Sequence, residues 1–194
     1  MFRATADVAA FVDATLARFG RVDVLVTNSG GPPARPVRDA RRLPRGRRLP
    51  SSTLFAPVEF ARRVLPGMSE RRWGRILNVT SIAVKQPVDN LMLSNSLRAA
   101  RHRLGAHARE RGRGSFGVTR EQPDAGLHAH GARRGAVRGR LEARGHHHAQ
   151  QAVARWEREI PLGRLAEPRE FAALAAFLAS ERASYITGQS IAVD

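Results

Sequence analysis

Trp73–Ala100 reads W-G-R-I-L-N-V-T-S-I-A-V-K-Q-P-V-D-N-L-M-L-S-N-S-L-R-A-A. The apolar run Arg75–Val79 predicts a buried strand that delivers Ser81 to its carboxyl end. A loop follows, and Asn90–Ala100 starts a helix. Ser94 stands thirteen residues after Ser81, and Arg98 four residues after Ser94. That last spacing is one helical turn, so Ser94 and Arg98 share a face and return together towards Ser81.

Outward from this stretch the chain alternates helix and strand. Residues 6–19 predict an amphipathic helix with Val8, Phe11, Val12, Thr15, Leu16 and Phe19 on one face and Gly20 as its stop. Val22–Val26 is a short strand, ended by the turn residues of T-N-S-G-G-P-P. Residues 53–70 are helical, with Val58, Ala61, Leu65 and Met68 on one side. Glu167–Pro168 opens another helix, with Phe171, Leu174, Ala175 and Leu178 inward, and Ile186–Asp194 reads as a turn and a last strand. This cadence predicts an α/β fold, an incomplete Rossmann-like doubly wound parallel sheet in a single partial domain over 1–194.

Two segments break the cadence. Residues 34–50 carry a net +6 and residues 101–150 a net +7, out of +16 for the whole chain. All seven histidines lie in 101–150, and Lys85 is the sole lysine. Neither segment has a helix or strand period, so loop or disorder is expected for both. The charge excess belongs to these segments, with almost no aromatics between the arginines for base stacking. Non-specific adhesion to nucleic acid is therefore expected rather than specific recognition. Gly112–Gly117 matches G-x-G-x-x-G without a preceding strand. His128, His130 and His146–His148 lack acidic or cysteine partners at ligand spacing, so no metal site is expected. The absence of cysteine, of a long apolar run and of a signal-peptide layout points to the cytoplasm and away from a membrane.

Four pieces resemble the short-chain dehydrogenase/reductase family. D-V-L-V-T-N-S-G, ending at Gly30, is similar to its strand followed by Asn-Asn-Ala-Gly. V-L-P-G-M with G-R-I-L-N-V-T-S is similar to the helix and strand that lead to its catalytic serine. I-P-L-G-R-L-A-E-P-R-E-F-A-A-L-A-A-F-L-A-S is similar to its penultimate helix, and Y-I-T-G-Q-S-I-A-V-D to its final strand. The resemblance implies an NAD- or NADP-dependent oxidoreductase, similar to 3-oxoacyl reductases, acting on a small carbonyl or alcohol substrate, and a homo-oligomer. It assigns Ser81, Ser94 and Arg98 to the catalytic positions and Asn28, Ser29 and Gly30 to the cofactor's adenosine side.

The departures bear on activity. The family's tyrosine and lysine positions hold Ser94 and Arg98. A serine hydroxyl is far less acidic than a phenol, and an arginine keeps its proton, so this is a poor acid–base pair. The family's glycine-rich phosphate turn is absent from the sequence, so weak cofactor binding, low stability and an impaired enzyme are expected. A basic nucleic-acid-binding module, or a non-catalytic fragment that associates with intact family members, are the alternatives. Out-of-frame translation would account for both anomalous segments. With suitable codons a one-base shift turns Arg101–Glu110 into V-T-G-L-A-R-T-L-A-N and Arg35–Arg42 into G-P-F-E-T-L-D-D.

Overall fold

The structure is a computed structural model and describes residues 5–30, 51–87, 91–110, 117–125 and 160–193, with 151, 153, 154, 157 and 158. Helix α1 spans Thr5–Phe19, strand β1 Val24–Thr27, α2 Ala56–Glu70, β2 Gly74–Asn78, α3 Met92–Glu110, β3 Val118–Ala125, α4 Pro168–Ala179 and β4 Ser190–Val193. A π-type turn, Ser51–Phe55, leads into α2. The four strands form one parallel sheet in the order β1-β2-β3-β4. No helix among the described residues is long and apolar enough to cross a membrane.

The near-continuous burial of β2 follows from its central place in a sheet covered on both faces. Ile76 faces a core of Val8, Val12, Val64 and Met68 from α1 and α2, joined by Leu25 and Val118. Leu77 faces the other way, onto Leu178 of α4 and Ala183. Burying a leucine in this way contributes roughly 1.5–3 kcal/mol. The predicted face of α1 is only half covered. Val8 and Val12 are buried, while Phe11 is 54% and Phe19 67% exposed. Phe11 keeps an edge contact with Phe60, their ring centroids 6.0 Å apart. Gly20 ends α1 as expected, at φ 76° with its N–H donating to Leu16 O at 2.8 Å.

At the amino ends of the strands, Arg75 is 2% exposed. Its guanidinium lies 4.6 Å from the Trp73 ring centroid and donates to the carbonyls of Ser180, Gly74 and Gly117 at 3.0–3.2 Å. Helix α4 starts with Pro168 in its first turn and a capping box between Glu167 and Glu170, which Arg164 reinforces at 2.6 Å.

The expectation of loop or disorder over 101–150 is corrected where that segment is described. Helix α3 runs through Arg101 to Glu110, and Val118–Ala125 forms β3, which pairs with both β2 and β4. The physical reason is that helix and ladder hydrogen bonds use backbone groups, whatever the side chains carry. The Gly74 N–H reaches Gly117 O at 3.3 Å, that of Thr80 reaches Pro123 O at 3.1 Å, and that of Gln122 reaches Gln189 O at 2.9 Å. The mismatch shows in the side chains instead. Arg101 Nε and Nη1, His102 Nδ1, Thr119 Oγ1 and Gln122 Oε1 are buried without a hydrogen-bond partner; outside 101–125, among the described residues, only Ser29 Oγ and Thr53 Oγ1 share that condition. Residues 34–50, most of the G-x-G-x-x-G stretch and the histidines from His128 onward lie outside the described residues.

Gly117 is the tightest point of the β3 entry. Its φ is +87°, and a Cβ there would stand 1.9 Å from Arg72 O. Gly117→Ala therefore costs about 3 kcal/mol in urea unfolding, combining overpacking with a left-handed backbone. A cost under about 0.5 kcal/mol would show that the β2–β3 entry is not packed as described.

Candidate active site

Ser81 stands three residues beyond Asn78, the last residue of β2, near the carboxyl end of that strand. Its Oγ accepts from the Ala83 N–H at 3.3 Å and its carbonyl accepts from the Val84 N–H at 3.0 Å, which fixes the short turn Ile82–Val84. The Ser81 hydroxyl proton therefore stays available to donate. The second half of the site comes from α3. Ser94 is 7% and Arg98 5% exposed.

Arg98 brings the pieces together. Its Nε donates to Ser94 Oγ at 3.3 Å, Nη1 to Thr80 O at 3.2 Å, and Nη2 to Ser29 O at 3.4 Å. One guanidinium thus ties α3 to the residue before Ser81 and to the turn after β1. Ser94 accepts from a cation, which polarises its own O–H as a donor. The pair can orient and polarise an oxygen. It does not offer a group that gains and loses a proton near neutrality, because arginine stays charged.

Arg101, the first residue of the 101–150 segment, is not among the residues that the sequence marks as functional. It is 3% exposed, and its Nη2 donates to Thr27 O at 2.9 Å and to Thr27 Oγ1. Thr27 Oγ1 in turn donates to Asn78 Oδ1 at 2.6 Å. Burial, and then the like charge of Arg98, hold the Arg101 pKa down to about 10. The signal was present in the spacing: Ser94, Arg98 and Arg101 lie four and three residues apart on one helical face.

Asn28, Ser29 and Gly30 form the turn after β1 and line a groove with Thr27. Ser29 Oγ is buried without a partner, and open space lies where a Gly30 Cβ would stand. Both features fit the edge of a nicotinamide cofactor, which needs a donor and close backbone approach. Among the described residues no three His, Cys, Asp or Glu side chains form a group able to hold a metal ion.

A parallel α/β sheet with a serine at the carboxyl end of its central strand, and a helix that returns a second polar cluster beside it, is the architecture of a Rossmann-like oxidoreductase. A family model described as enoyl-(acyl carrier protein) reductase matches residues 3–194, and the chain belongs to the short-chain dehydrogenase/reductase family. An uncharacterised oxidoreductase of Bacillus subtilis is 33% identical over 141 residues, covering 72% of this chain and 52% of the relative. The (2S)-[(R)-hydroxy(phenyl)methyl]succinyl-CoA dehydrogenase subunit BbsC of Thauera aromatica is 32% identical over 189 residues, 91% of this chain and 64% of the relative. The chain thus spans between about half and two thirds of the length of these curated relatives. Among solved structures, an actinorhodin polyketide ketoreductase with NADPH superposes with a TM-score of 0.82 at 26% identity, covering 98% of this chain and 73% of that one.

The clamp has a direct consequence for stability. Arg98→Met removes one donor from each of three acceptors and costs about 3 kcal/mol in urea unfolding, while Ser94→Ala costs about 1 kcal/mol. A larger loss for Ser94→Ala than for Arg98→Met would contradict the clamp.

Proposed function

We propose that the chain carries the reaction site of an NAD(P)-dependent carbonyl or alcohol oxidoreductase, with a proton relay that orients oxygen but does not titrate. The observation that carries this reading is the Arg98 clamp, which gathers Ser94, the Thr80–Ser81 strand end and the Ser29 turn at one place. The family match and the ketoreductase with NADPH support the same chemistry.

In this reading Ser81 donates its hydroxyl proton to the substrate oxygen. Ser94, polarised by Arg98, donates a second hydrogen bond to the same oxygen. Asn28, Ser29 and Gly30 border the cofactor, whose nicotinamide supplies or accepts the hydride when bound. On reduction the carbonyl carbon gains the hydride, and its oxygen takes a proton that comes ultimately from water, because Arg98 cannot give up its own. Such a site stabilises the developing oxyanion but lacks the contribution of general acid catalysis, typically about 10²- to 10⁴-fold. The enzyme is accordingly slow, and its substrate is a 3-oxoacyl-type or similar ketone.

The test is NADPH consumption with a 3-oxoacyl thioester across pH. Neither Ser94 nor Arg98 titrates near neutrality, so a slow rate that stays flat from about pH 6 to 9 is expected. A limb with its midpoint in that range would show a titrating relay and contradict the roles given to Ser94 and Arg98. No oxidation of NADPH above a substrate-free control would contradict the reaction itself.

A further inference from the structure

Helix α3 grips the turn after β1 from both sides. Arg98 Nη2 donates to Ser29 O at 3.4 Å, and Arg101 Nη2 donates to Thr27 O at 2.9 Å and to Thr27 Oγ1. Two arginines three residues apart on one helical face thus hold carbonyls two residues apart, with Asn28 between them. The same helix carries Ser94, and Arg98 Nη1 reaches Thr80 O, beside Ser81, at 3.2 Å. A movement of the turn against α3 is therefore also a movement against Ser94.

Thr27 does not need Arg101 to satisfy its own polar groups. Its carbonyl also accepts from the Val79 N–H at 2.9 Å, and its hydroxyl donates to Asn78 Oδ1 at 2.6 Å. Arg101 itself is poorly served. It is 3% exposed, and its Nε and Nη1 have no hydrogen-bond partner. Among the described residues the charge that acts on it is that of Arg98, of the same sign. A guanidinium buried in this way lowers stability, and an apolar side chain would fill the same space at less cost. Its contribution lies in where it holds Thr27. We propose that Arg101 is a positioning residue: through Thr27 it fixes the Asn28–Ser29–Gly30 turn against α3, and so sets the cofactor's edge relative to Ser94. The inference rests on the reading of that turn as the border of the cofactor, which Arg101 itself does not touch.

Three readouts on the full chain separate positioning from packing. Arg101→Met raises the melting temperature by roughly a few degrees, because it removes an uncompensated buried charge and leaves Thr27 bonded to Val79 and Asn78. NMR relaxation without cofactor shows the backbone order parameters of Asn28, Ser29 and Gly30 falling from about 0.85 to below about 0.6, while those of Val79 and Thr80 stay high. In fluorescence titration NADPH binds about tenfold more weakly, and with the 3-oxoacyl thioester the KM for NADPH rises while kcat stays within about twofold. Arg101→Lys keeps one donor for Thr27 and recovers part of the order and of the affinity. Order parameters unchanged in Arg101→Met, or Arg101→Lys no better ordered than Arg101→Met, would overturn the proposal. So would a fall in melting temperature or a failure of Arg101→Met to fold, either of which would make Arg101 a packing residue. A wild-type chain that binds no NADPH would contradict the cofactor reading instead, and the order parameters and melting temperatures would then decide the positioning by themselves.

Discussion

The β2–β3–β4 ladder is the constraint on which the rest of the structure depends. β2 is the buried centre, and β3 hydrogen-bonds to it on one side and to β4 on the other. Parallel strands obtain their partners from distant parts of the chain, so removing β3 would leave β4 without a neighbour and α4 docked on a broken sheet. Gly117 sets where β3 begins, and Arg75 stitches the amino ends of that region by binding carbonyls at Gly74, Gly117 and Ser180. The carboxyl end of β2 is held in place by the same ladder, through the Thr80 N–H on Pro123 O. Ser81 inherits its position from that bond.

At the opposite end from Arg75, a second buried arginine organises the site. Arg98 binds three oxygens at once. A fixed cation polarises Ser94 and holds the strand ends together, yet it cannot shuttle a proton. Such a pair contributes orientation and electrostatics. Arg101, nearly one turn further along α3, adds a buried charge whose hydrogen bonds, among the described residues, go to Thr27.

Much of the fold was legible in the sequence, because apolar period and turn residues report directly on buried faces. The strand before Ser81, the stop at Gly20, the helix opened by Pro168 and the final strand were all readable in this way. The helix beyond Ala100 and the strand at 118–125 were not, because their arginines and histidines hide the apolar period while the backbone still pairs. The ladder formed regardless, and the cost fell on orphaned atoms such as Thr119 Oγ1 and Gln122 Oε1. On α1 the error ran the other way. Phe11 and Phe19 are apolar and in register, but the buried line of α1 among the described residues is Val8 and Val12, while Phe11 keeps an edge contact with Phe60 of α2 and Phe19 stays exposed. The pairing of Ser94 with Arg98 could be read from their four-residue spacing. The role of Arg98 as a clamp could not, since it depends on carbonyls contributed by two other elements.

Amide hydrogen exchange tests most directly whether one continuous sheet carries the site. The N–H groups of Val79 and Thr80 bond to Thr27 and Pro123, and that of Gln122 bonds to Gln189. If β1 to β4 form a single cooperative unit, these three amides exchange together at the rate of global unfolding. A Gln122 amide that exchanges as fast as an open chain, while Val79 stays protected, would contradict the account by showing that the sheet ends at β2.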